Sequence, residues 1–139
     1  TQIMSSDHKY MDIDGKMVAL EDLRGKYVYI DVWATWCGPC KAELPYLKKL
    51  EKKFEGKNIY FVSISIDANK AAWIKMVQED HLGGIQLHGG NKAQIAKDYA
   101  IRAIPRFILL DREGKVINKE MTRPSDSETE ETLNALEGI

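Results

Sequence analysis

Two apolar runs, Tyr27 to Trp33 (YVYIDVW) and Ile59 to Ile66 (IYFVSISI), bracket a stretch that opens on Trp36-Cys37-Gly38-Pro39-Cys40. Runs of this length suit strands covered on both faces. From Cys37 to about Phe54, Leu44, Leu47, Leu50 and Phe54 fall at spacings of 3, 3 and 4, which is one face of a helix. Strand, helix, strand in that order favours an α/β layer fold.

The rest of the chain extends the pattern. Tyr10 to Leu20 reads as a hairpin around the turn dipeptide Asp14-Gly15. A helix is expected over about Lys70 to Asp80, with Trp73, Met76 and Val77 inward, ended by Gly83-Gly84. A short helix follows over Ala93 to Tyr99, burying Ile95, Ala96 and Tyr99. Arg106 to Leu110 and Lys115 to Lys119 form a second hairpin through Asp111-Arg112-Glu113-Gly114. A last helix runs from Ser127 to about Glu137, with acids in its first turn and Leu133 and Leu136 inward. No repeat or linker divides the 139 residues, so they are read as one domain, the C-terminal part of a longer precursor being possible. The chain opens at Thr1 rather than Met and reads as a processed or trimmed piece, so a missing secretory signal does not argue for the cytosol.

With a net charge of -1, nothing in the composition asks for nucleic acid or an anionic membrane. Cys37 and Cys40 are the only two cysteines, which excludes a scaffold stapled by several disulfides. A zinc site needs more ligands, and His81 and His88 are not at finger spacing. Lys41 occupies the position that a CxxCH haem attachment reserves for His. A CxxC beside a βαβ pattern reads instead as a thioredoxin-like redox motif. A helix N-terminus offers unpaired N–H groups and the positive end of the dipole to a thiolate at Cys37. Its pKa is then expected within the range of about 3.5–7.5 found for activated cysteines. Pro39 is tolerated in a first turn, and Gly38 lets a partner chain approach.

The segment Asp31-Val32-Trp33-Ala34-Thr35-Trp36-Cys37-Gly38-Pro39-Cys40-Lys41 resembles the thioredoxin active site. The lead-in from Leu20 to Lys26 and Glu43-Leu44-Pro45 after the second cysteine resemble the TlpA/ResA branch of that family. Tyr99 to Phe107 resembles the cis-proline loop and the strand that follows it. Arg123-Pro124-Ser125 resembles a stretch common in envelope-associated Bacteroidetes members. The resemblance covers about residues 10 to 137. It implies a thioredoxin-like fold: a central mixed sheet flanked by helices, with an N-terminal β-hairpin.

The resemblance also implies roles. Cys37 is the nucleophile and Cys40 the resolving cysteine, a redox-active disulfide with no other cofactor. Asp31 interrupts an apolar strand, where an unused carboxylate is costly to bury. By resemblance it lies beneath the dithiol and moves a proton to or from Cys40; a solvated or hydrogen-bonded strand residue is the plainer reading. Glu43 lies three residues past Cys40 and tunes the thiols in the resembling branch, although an acid is favourable in a first turn anyway. Ile104-Pro105 implies a cis bond facing the CxxC, with the Ile104 backbone free to pair with an extended substrate. Trp36, Gly38 and Pro39 complete the substrate-facing surface. Arg106 is read as a solvated strand-end charge, and Pro45 as a structural kink in the helix. Trp33 and Trp73 are read as core, Thr35 as a loop residue, and His8, His81 and His88 as surface. Lys48 to Lys53 is a solvated helix face, and the acids from Asp126 to Glu131 are a helix start, not a metal site. Ser63 and Ser65 occupy the strand where thioredoxin places a lysine near its buried aspartate.

The expected function is a thiol–disulfide oxidoreductase that reduces disulfides of envelope or secreted proteins, because Gly-Pro between the cysteines resembles reducing members. Its expected partners are disulfide-containing proteins and a membrane or thioredoxin-type electron donor, with no nucleic acid, and the chain acting as a monomer. Its expected place is the periplasm or cell envelope, the cytoplasm being the alternative. A thiol peroxidase of the same fold would carry Pro-x-x-x-Thr/Ser-x-x-Cys, whereas Ala34 stands three before Cys37. A noncatalytic peptide-binding module of this fold commonly loses a cysteine, and both are present.

Overall fold

The computed structural model describes residues 8–139. Among them, seven strands form one sheet in the order β2-β1-β5-β4-β3-β6-β7. The strands are β1 (Lys9–Asp12), β2 (Met17–Ala19), β3 (Tyr27–Trp33), β4 (Ile59–Ser65), β5 (Ile85–His88), β6 (Arg106–Leu110) and β7 (Val116–Asn118). Four helices flank them: α1 (Gly38–Lys53), α2 (Lys70–Glu79), α3 (Gln94–Asp98) and α4 (Ser127–Asn134). β3, β4 and β5 run parallel, and the outer pairs are antiparallel. The sheet is therefore mixed and carries the expected N-terminal hairpin.

Side-chain alternation along β3 splits the core. Val28, Ile30 and Val32 point to one face, where they meet Ile64, Ile95 and Tyr99 under α3. Tyr27 and Tyr29 point to the other, against Leu47 and Leu50 of α1, Phe54 that caps it and Leu133 of α4. Trp33 continues that second face to the end of the strand and packs with Trp73 and Val77 of α2 around both cysteines. Because β3 is buried on both faces along its length, it needs the near-continuous apolar run seen in the sequence.

Several expectations need correction. β5 is absent from the sequence reading: Ile-Gln-Leu-His is four residues long and flanked by Gly83-Gly84 and Gly89-Gly90, so it reads as loop. It forms because β4 offers it a parallel partner and β1 an antiparallel one. Leu20–Leu23 is a separate 3₁₀ turn whose Leu20 and Leu23 plug the core. In α1 the buried residues are Cys40, Glu43, Leu47 and Leu50; Leu44 is half-exposed, so the buried stripe passes through Glu43. α4 stops at Asn134, where Ala135 caps it. Met76, Ala96 and Leu136, expected inward, are half-buried.

His8 is not at the surface. Its ring is fully buried between the Tyr10 hydroxyl at 3.0 Å and the Asp98 carboxylate at 2.8 Å. The same hydroxyl accepts from the Ile95 N–H at 3.1 Å, so the histidine ties the N-terminal hairpin to α3. His88 is half-buried and stacked on Trp73, with ring centroids 5.2 Å apart. Only His81 of the three is exposed.

Candidate active site

The chain turns from β3 into α1 through Ala34-Thr35-Trp36, and Cys37 caps the helix with extended backbone (φ -88°, ψ 107°). Its Sγ accepts from the Cys40 N–H at 3.2 Å, one of the N–H groups that have no partner inside the helix. Pro39 lies in the first turn, where its missing N–H costs nothing. The Cys37 N–H is held by the Ala34 carbonyl at 3.1 Å. Cys37 and Cys40 are joined as a disulfide with Cα atoms 5.3 Å apart.

The disulfide sits just below the surface, with Cys37 exposing 5% and Cys40 4%. Around it the chain presents exposed Gly38 and Pro39 and the Trp36 ring, 68% exposed. A Cβ at Gly38 would meet nothing within 4 Å, so the approach over the first helical turn is open. On the opposite side lie half-buried Ile104 and Pro105, joined by a cis peptide bond. The Ile104 carbonyl is 3.8 Å from the Cys37 Sγ. The fold thus brings together Trp36, Cys37, Gly38 and Pro39 from one loop with Ile104 and Pro105 from another, 67 residues on. Arg106, at the start of β6, is tied to the following hairpin: its Nε–H donates to the Lys119 carbonyl at 2.8 Å.

Asp31, 5% exposed, lies in β3 in register with Ser63 on β4 and Phe107 on β6. Burial pushes its pKa up to about 8; the Ser63 hydroxyl opposes the shift, and the Glu51 and Glu43 charges add to it. Burial also holds the Tyr29 hydroxyl well above its ordinary range, with Asp31 and Glu43 adding to the effect. Glu43, on the buried face of α1, accepts from the Ser125 N–H at 2.9 Å and from the Ser125 hydroxyl at 2.7 Å. The Arg123-Pro124-Ser125 stretch noted in the sequence thus supplies the partner of Glu43.

Asp67 escaped the sequence reading. It is fully buried just past β4, and both carboxylate oxygens accept from the Thr35 N–H at 3.1 Å. The Thr35 hydroxyl donates to Oδ1 at 2.6 Å and the Ser65 hydroxyl to Oδ2 at 2.5 Å. His88 Nε2 reaches the Asp67 carbonyl at 2.8 Å. Thr35 is therefore the loop residue expected, and it is anchored to Asp67 two positions before Cys37. The sequence signal was faint: Asp67-Ala68-Asn69 after a strand looks like an ordinary solvated turn. Among the described residues, no cluster of His, Cys, Asp and Glu is placed to hold a metal ion.

Residues 5–136 match the model of the Redoxin family. The chain is 33% identical over 109 residues to the thiol-disulfide oxidoreductase ResA of Bacillus cereus, spanning 78% of this chain and 62% of that protein. It is 30% identical to ResA of Bacillus thuringiensis subsp. konkukian, spanning 90% of this chain and 72% of that one. A solution structure from Bacteroides vulgatus, described as a candidate thiol-disulfide oxidoreductase, superimposes with a TM-score of 0.85. It shares 61% identity, and the match covers 91% of this chain and 84% of that one. With a CxxC disulfide at the start of α1 on a thioredoxin-like sheet, the chain belongs to the Redoxin family, among the ResA-like thiol–disulfide oxidoreductases.

Proposed function

We propose that this protein reduces disulfides of envelope or secreted proteins, with Cys37 as nucleophile and Cys40 as resolving cysteine. The observation that carries this reading is the Cys37 Sγ at the N-terminus of α1, facing the Ile104-Pro105 loop across 3.8 Å. In the reduced protein, a Cys37 thiolate gains from the helix terminus and attacks one sulfur of an incoming disulfide. The partner's other sulfur leaves and takes a proton. The Cys40 thiol then gives its proton to the Asp31 carboxylate and attacks Cys37 Sγ. The partner's second sulfur leaves, and the Cys37–Cys40 bond closes. Two electrons have passed to the partner. The reverse passage needs a dithiol donor, for which a membrane or thioredoxin-type protein fits.

Asp31 suits both directions, since a base or acid works best with a pKa near the operating pH. At about 8 it is a carboxylate in the minority of molecules at neutral pH, the form that takes the Cys40 proton, and it exchanges that proton at little cost. Trp36, Gly38 and Pro39 offer the contact surface, and the Ile104 backbone beside Pro105 lies where an extended partner strand can pair. Glu43, fixed by Ser125, adds negative charge beside Asp31. An envelope location rests on the likeness to the ResA branch; among the described residues no helix is long and apolar enough to cross a membrane.

Reduction of insulin by dithiothreitol tests the activity: the wild-type chain accelerates it and Cys37→Ser does not. Turnover that persists in Cys37→Ser overturns the reading. Cys40→Ala leaves the mixed disulfide stalled on Cys37, and the proteins trapped from an envelope extract report the substrates and the direction of flow.

A further inference from the structure

The resolving step of this cycle leaves a proton on Asp31, which is buried on the α1 side of the sheet, the face it shares with Tyr29. Its register partner on β4 is Ser63, and the partner of Ser63 on β5 is Gln86. Residues in register on neighbouring strands share a face, with strands about 4.8 Å apart. Asp31, Ser63 and Gln86 therefore form one polar row under α1, between Tyr29 and Phe61 on one side and Trp33 and Ser65 on the other. Asp31 Oδ1 and Gln86 Oε1 find no hydrogen-bond partner among the described residues, although Asp31 is 5% and Gln86 7% exposed. Buried oxygens of this kind are met by ordered water.

At the outer end, the Gln86 amide donates to the Gly83 carbonyl at 2.8 Å. There the carboxylate of Glu51, from the second half of α1, lies against Gly83-Gly84. A Cβ on Gly83 would stand 3.2 Å from Glu51 Oε1, and one on Gly84 2.7 Å from Oε2 and 2.6 Å from the Phe61 carbonyl. The glycine pair keeps the space into which this half-buried carboxylate fits. No role in the cycle above uses Glu51. Burial pushes its pKa up to about 7, opposed by Lys48, and its charge raises Asp31 in turn. Of the charges on α1, Glu51 and Glu43 act on Asp31 and Lys48 acts on Glu51, while the Tyr29 hydroxyl on β3 feels Asp31 and Glu43.

We propose that Asp31 exchanges its proton with solvent sideways along the Ser63–Gln86 row through bridging water, with Glu51 as the outlet. This rests on Asp31 being the base of the resolving step. Asp31 gives its proton to a water beside Ser63, the row passes one on to Glu51, and Glu51 releases it to bulk. No electron moves, and one proton leaves for each Cys40 thiol consumed.

The resolving step can be watched alone. Reduced full chain treated with 5,5′-dithiobis(2-nitrobenzoate) forms a mixed disulfide on Cys37, and attack by Cys40 releases a second coloured thiolate. In the wild type the rate of this second phase should not depend on buffer concentration. In Glu51→Gln it should fall about tenfold at low buffer and recover with added imidazole, the mark of a missing proton carrier. Ser63→Ala, which cuts the row at its middle, should behave alike. Rates equal to wild type in both variants would overturn the proposal. So would a pH midpoint lowered in Glu51→Gln with no dependence on buffer, since Glu51 would then act by charge alone. Failure of the function itself reads differently, as loss of Cys37-dependent insulin reduction in the wild type.

Discussion

Asp31 within β3 and Asp67 just past β4 are two buried carboxylates with opposite legibility. Asp31 was legible because it breaks the apolar run YVYIDVW, where a charge has no cheap explanation. Asp67 was not, because its partners Thr35 and Ser65 come together only after β4 is laid beside β3. Glu43 was legible as an acid near Cys40, but its partner Ser125 is 82 residues away. The physical reason is shared: a residue that breaks its local pattern shows itself, while one whose meaning lies in a distant partner does not. Asp67→Ala strands the Thr35 N–H and two hydroxyls. It should lower the unfolding free energy by about 2–3 kcal/mol, read from the denaturant midpoint. Thr35→Val, which keeps the N–H bond and loses only the hydroxyl, should cost less.

Helices and strands were legible where periodicity was long. β3, β4 and α1 have seven to sixteen residues each, and the sequence reading places them where they are. β5 has four residues and owes its existence to the strands on either side. The inward stripe of α1 was misread at one position, because a leucine at 44 outranks a glutamate at 43 on any apolar scale. The structure buries Glu43 because Ser125, before α4, satisfies its carboxylate. That contact, with the exposed Lys53–Glu130 ion pair, links α1 to α4. The ion pair lies in solvent and adds little. Ser125→Ala removes the hydroxyl bond and leaves the backbone one, so thermal unfolding should show a loss of about 1–2 kcal/mol. An unchanged melting temperature would mean that Glu43 is held by something else.

For the whole molecule, Asp31 makes stability depend on pH. Its folded pKa, about 8, lies above the ordinary 3.8, so the folded chain binds the extra proton between these values. The stability this proton confers is complete below pH 4 and is lost as pH rises through 8. With the disulfide intact, wild type should therefore weaken from pH 4 to pH 9, and Asp31→Asn should reduce that slope, leaving the share that Glu51 contributes as pH rises through about 7. At pH 9 the variant should exceed wild type by about 3–5 kcal/mol, and at pH 4 the two should be close. Parallel melting curves across that range would show that Asp31 ionises freely. The layered α/β fold as a whole was legible from element order, and its seven-stranded width was not, since the edge strands are short.

The central claim is that the sulfur capping α1 is ionised at neutral pH and open to a visiting chain. Alkylation of the reduced protein by iodoacetamide across pH tests it directly, with the modified cysteine identified by mass. The account predicts that Cys37 reacts first, with a midpoint at or below about pH 7.5, while Cys40 stays protected. A midpoint near 8.5, that of an ordinary thiol, or Cys40 reacting as fast as Cys37, would contradict it.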